Sequence, residues 1–73
     1  MIKYAFTFGS NHRDFYGNNL SRAYVVVEAK SYEIARDIMF SKRGNAWSFQ
    51  YEWDEFKPQI EQFNLHEVHL GDL

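Results

Sequence analysis

The sequence predicts an α+β domain: an antiparallel sheet of about four strands, ordered β-β-α-β-(short α)-β, with one main helix packed on one face. Three observations carry this expectation. Residues 2–8, 22–29 and 46–53 alternate side-chain character with a period of two. Residues 32–42 place apolar side chains at helical spacing behind a Ser. Apart from one long polar segment, the runs are joined by short connections, the pattern of a sheet covered by a helix layer. At 73 residues the chain is a single domain, 1–73.

The elements follow in order. In residues 2–8, Ile2, Tyr4, Phe6 and Phe8 point one way and Lys3, Ala5 and Thr7 the other, a half-buried strand ended by Gly9. Residues 9–21 are rich in Gly, Asn, Ser and Asp, and read as a long loop with its tip at Gly17-Asn18-Asn19. In residues 22–29, Ala23, Val25, Val27 and Ala29 form the core face, opposite Arg22, Tyr24, Val26 and Glu28. Three consecutive Val residues mark a central strand covered on both faces. Ser31 is the expected N-cap of a helix over 32–42, with Ile34, Ala35, Ile38 and Met39 inward, Arg36, Asp37 and Ser41 toward water, and Gly44 as the stop. Residues 46–53 are read as a strand with Trp47, Phe49, Tyr51 and Trp53 on one face. A short helix over 54–63 is expected next, capped by Asp54, with Phe56, Ile60 and Phe63 apolar and Pro58 tolerable only near its start. Residues 64–70 form a final edge strand, with Leu65 on one face and Val68 and Leu70 on the other.

Composition narrows the function classes. No Cys is present, which excludes disulfides and thiolate metal sites. No apolar run reaches the roughly 20 residues of a membrane span. Met-Ile-Lys-Tyr does not open a signal peptide, so a cytoplasmic location is expected. Seven Phe, five Tyr and two Trp are many rings for so small a core, so several are expected at the surface, available to a partner or to a second copy of the chain. Net charge is −2, which argues against direct nucleic-acid binding. The charge is uneven: residues 1–44 hold seven Lys/Arg and four Asp/Glu, whereas residues 45–73 hold one Lys and six Asp/Glu.

The strings Phe6-Thr7-Phe8-Gly9, Tyr24-Val25-Val26-Val27-Glu28-Ala29, Ala35-Arg36 with Met39-Phe40, and Gly44 with Trp47-Ser48-Phe49-Gln50-Tyr51 resemble short phage and prophage accessory proteins of unassigned role. The similarity spans roughly residues 4–53 and contains no catalytic signature. It implies a phage-encoded protein acting inside a bacterium, of the kind that disarms a host defence by binding it, as anti-CRISPR proteins do. No functional residue carries over from the resemblance.

Candidate chemistry is sparse. His12-Arg13-Asp14 is the densest ionisable cluster, able in principle to move a proton or grip a phosphate. It lies in a Gly/Asn-rich loop with no second constellation near it in sequence, so no enzyme is expected. His66 and His69 would point to opposite faces of a strand, so no metal site is expected. No phosphate-loop, dinucleotide or nucleophile-elbow motif is present, and no cofactor is implied. The Trp47, Phe49, Tyr51, Trp53 stripe lacks the interleaved basic residues of a base-stacking platform and reads as core, with Trp53 the nearest of the four to the surface. Two binding readings remain. In the first, Phe15, Tyr16, Trp53 and Phe56 anchor a bacterial host protein, and Glu52, Asp54 and Glu55 form a charged rim that also resembles a phosphate mimic. In the second, the loop closes over a small nucleotide signal, with His12 and Arg13 at its phosphates beside Asp14.

Overall fold

The first strand, β1 (Ile2–Thr7), pairs antiparallel with β2 (Ala23–Ala29), from Ile2 opposite Ala29 to Thr7 opposite Tyr24. A computed structural model describes all of residues 1–73. The main helix α1 (Tyr32–Arg43) follows β2, then β3 (Phe49–Glu52), α2 (Trp53–Gln62), β4 (His66–Val68) and a 3₁₀ turn at Leu70–Asp72. The sheet order is β3-β1-β2-β4. The fold is α+β, as the sequence predicts, but the sheet is mixed: β3 is antiparallel to β1, whereas β4 is parallel to β2.

Chain direction explains both the mixed pairing and the second layer. Each helix carries the chain back along the sheet, so the strands it joins run the same way. The β2-α1-β3 crossover moves toward one edge, and β3-α2-β4 moves toward the other. Crossovers between parallel strands are almost always right-handed. Two of the same hand travelling in opposite directions must lay their helices on opposite faces. The expectation of one main helix on one face is therefore incomplete, because α2 covers the other side.

The larger core lies under α1. Tyr4, Phe6 and Phe8 meet Ala23, Val25, Val27 and Ala29 there, with Ala35 and Met39 descending from the helix and Trp47 closing one side. The smaller core lies under α2, where Phe56 packs on Ala5 and Tyr24, flanked by Val26, Tyr51, Trp53, Ile60 and Leu65. The central position of the Val-rich strand is as expected.

The helix ends follow their local chemistry. Ser31 Oγ accepts from the Ile34 N–H at 3.2 Å, and Gly44 takes φ +60° beyond Arg43. Two residues depart from the expected α1 faces: Ile34 is exposed, and Arg36 stacks over Trp47 at 4.8 Å from the ring centroid. The α2 N-cap is Glu52, without a side-chain hydrogen bond, and Asp54 already lies inside the helix, paired with Lys57 at 3.3 Å. Pro58 is the sixth helical residue, further in than its chemistry favours. At the other end, the Leu65 N–H reaches the Ile60 carbonyl at 2.9 Å and the Asn64 N–H reaches Glu61 at 3.3 Å. Asn64 takes φ +54°, which completes a Schellman stop.

The expected strand over 46–53 is shorter at both ends, and this breaks its aromatic stripe. Trp47 precedes β3 and turns to the α1 side, with its ring 5.0 Å from Phe6 and its Nε1–H on the Gly44 carbonyl at 3.0 Å. Phe49 and Tyr51 stand opposite Thr7 and Ala5, on the α2 side. Phe49 is largely exposed rather than core.

Candidate functional site

The polar loop 9–21 folds as a hairpin with a fixed tip. Asp14 organises it. Its Oδ1 accepts from the Tyr16 and Asn18 N–H groups, both at 2.8 Å, and its Oδ2 accepts from Asn18 Nδ2 at 3.1 Å. The Asp14 backbone N–H donates to the Asn18 carbonyl at 2.9 Å, and the Gly17 N–H donates to the Asp14 carbonyl at 3.1 Å. Gly17 sits at φ +87°, a conformation open to Gly without strain. Arg13 Nη1 donates to the Gly17 carbonyl at 3.0 Å. Partial burial alone would raise the Asp14 pKa, but the hydrogen bonds from Asn18, Tyr16 and Gly17 outweigh it and hold the carboxyl below its ordinary value.

The hairpin is tied to the body as well. Arg43, at the end of α1, donates from Nη2 to the Arg13 carbonyl at 3.0 Å and from Nε to the Ala46 carbonyl at 2.9 Å, and lies over the Phe8 ring. Burial lowers its pKa from an ordinary guanidinium, partly offset by the charge of Asp14. On the near side, His12 Nδ1 accepts from the Gly9 N–H at 2.9 Å, so its remaining proton belongs on Nε2. Leu20 anchors the return strand in the core.

The ionisable side chains of the loop turn inward on it. His12, Arg13 and Asp14 do not converge on a space between them. Each holds the loop's own backbone. The two rings at the tip do the opposite: Phe15 is 81% exposed and Tyr16 is 74% exposed, and they meet edge to face with centroids 5.5 Å apart.

The other half of the expected contact surface lies elsewhere. Glu52 and Trp53 stand at the start of β1, opposite Tyr4, on the far end from the loop. Trp53 is half-buried, and Lys3 Nζ sits 4.8 Å from its ring centroid. Asp54 and Glu55 are exposed on α2. Phe56 is fully enclosed between Tyr24, Tyr51 and Trp53 and cannot serve as an anchor, because its face of α2 is the one turned to the sheet. Phe15 and Tyr16 thus form one patch, and Trp53 with its acidic neighbours forms another.

Four further rings, Tyr32, Phe40, Phe49 and Phe63, are exposed without being among the expected contacts. Phe49 is 63% exposed and Phe63 is 51% exposed. Phe63 is the residue that caps α2, and the Asn64 that follows it was a readable stop signal. Of the histidines, His66 lies in β4 and His69 just before the 3₁₀ turn, and no group of three or more His, Asp or Glu side chains comes together as a metal site. No helix is long and apolar enough to cross a membrane. Comparison with known proteins finds no matching family model, no matching curated protein and no matching solved structure.

Proposed function

We propose that this chain is a phage-type accessory protein that binds and inhibits a bacterial host defence protein, without catalysis. One observation supports the reading above all: two aromatic side chains stand in solvent on a hairpin tip whose backbone is held by its own hydrogen bonds. A backbone already held in place loses little further freedom on contact, and buried aromatic anchors supply most of the energy of an interface. The exposed acids Glu52, Asp54 and Glu55 would steer approach to a basic partner rather than sit in the same contact. The resemblance to short phage proteins supplies the bacterial setting. His12, Arg13 and Asp14 each hold the loop's own backbone and do not converge on one space, so binding through the tip is preferred.

The test is affinity capture from bacterial lysate with the wild-type chain and a Phe15→Ala/Tyr16→Ala variant of matching circular dichroism. A host protein retained by the first and lost by the second, whose activity falls when the wild-type chain is added, is the expected result. Equal retention by both chains would remove the tip from the function.

A further inference from the structure

The largest hollow in the molecule, about 660 Å³, lies on the α2 side at the end of the sheet remote from Trp53. It opens between the last turn of α2 and the ends of β1, β2 and β3. Its polar side chains include three primary amides, Gln59, Gln62 and Asn64, and two hydroxyls, Thr7 and Ser21. None of these five makes a hydrogen bond within the chain, whereas Arg22 holds the Phe63 carbonyl from Nη1 at 3.2 Å and keeps its remaining N–H groups free. Aromatic surface borders the hollow: Tyr51 and Phe63 line it, and Phe49 adjoins Tyr51 at 6.3 Å between centroids.

The donor set selects a ligand class. A primary amide donates and accepts at once, and so does a hydroxyl. Five such groups in one shallow hollow match a ligand whose own polar groups do both, many times over. Aromatic faces beside them match flat apolar C–H surface. A phosphate is a poor fit. Only one cation lines the hollow, and the carbonyl end of α2, the negative pole of its dipole, borders it. The absence of any lining carboxylate argues equally against a metal or a polyamine. The open shape favours a segment of a longer molecule over an enclosed small one.

We infer that this hollow is a binding site for a neutral oligosaccharide, with Gln59, Gln62 and Asn64 exchanging hydrogen bonds with sugar hydroxyls while Phe63 and Tyr51 carry a pyranose face. The site is separate from the hairpin tip, so either can fail without the other. Backbone and side-chain amide spectra of the ¹⁵N-labelled chain, titrated with maltohexaose, cellohexaose or chitohexaose, test it. The expected result is saturable movement of Ser21, Arg22, Gln62, Phe63 and Asn64 with at least one sugar, in the millimolar range of an open polar site and insensitive to added salt. Gln62→Ala and Phe63→Ala should each weaken that binding by about tenfold, the loss of one good contact. Ser41→Ala, on the outer face of α1, should leave it unchanged. No saturable movement with any of the three sugars at about 10 mM, an upper bound for weak specific binding, overturns the assignment. So does a stronger, salt-sensitive response to AMP.

Discussion

Replacing Phe56 by Ala should cost this chain a large part of its stability, while the same change at Phe15 should cost almost nothing. Phe56 is fully enclosed, with its ring 5.1 Å from Tyr24, 5.5 Å from Tyr51 and 6.3 Å from Trp53 between centroids. Returning a Phe side chain to water costs about 1.5–3 kcal/mol. The lost aromatic contacts and the residual cavity overlap with that term rather than adding to it in full, and the whole Phe→Ala change in a core comes to about 3–5 kcal/mol. A domain of this length has about 4–11 kcal/mol in total, at roughly 0.05–0.15 per residue. With a urea slope of about 1 kcal/mol per molar, the midpoint should fall by about 3 M or more. Phe15 touches little besides Tyr16, so Phe15→Ala should stay within about 0.5 kcal/mol. Urea titrations followed by far-ultraviolet circular dichroism and by Trp fluorescence measure both. If Phe56→Ala leaves no folded baseline, Phe56→Leu substitutes for it, at a cost of about 1.5 kcal/mol. A Phe56→Ala loss under about 1 kcal/mol, or equal losses at the two positions, would refute the docking of α2 described above.

Three further outcomes are expected. Pro58→Ala should stabilise by about 1 kcal/mol, because the Ala N–H restores a helical bond that Pro lacks, net of the extra freedom of the unfolded chain; a lower thermal midpoint would contradict an α2 that runs through this position. Gly44→Ala should destabilise by about 1–2 kcal/mol through the backbone alone, since a Cβ there would meet nothing within 4 Å but φ is +60°; an unchanged denaturation curve would exclude that cap geometry. Asp14 has a lowered folded pKa, so its contribution is complete above the unfolded value and disappears as pH falls through the folded one. Exchange of the Tyr16 and Asn18 amides should therefore lose protection selectively in that acid range, and Asp14→Ala should abolish the step. Retention of the step in that variant would assign it to another group.

The parts of the fold that local chemistry determines were legible in the sequence. The faces of β1 and β2 followed from alternation, and α1 followed from Ser31, its apolar spacing and Gly44. The ambiguous parity of the last strand was also real, because Leu65 joins the core under α2 while Val68 and Leu70 join the one under α1. What stayed hidden depends on where a strand begins. Trp47 lies two residues before β3, outside its pleat, so counting by twos placed it on the wrong face. Phe56 looked available because an amphipathic helix does not say which layer it meets. The crossover direction that buries it is a property of the whole chain path. In the loop, the ionisable triplet was visible, but its hydrogen bonds back to its own turn were not.

The sheet order has one more consequence. Its two outer strands are four and three residues long, and Glu52, His66 and Glu67 stand exposed along them. A borrowed strand would find few open backbone groups to template on, and charge beside them. A chain this rich in rings, with a Val triplet at its centre, carries the raw material of a fibril; enclosing that triplet between two short, charged borders keeps the material out of reach for as long as the native state holds.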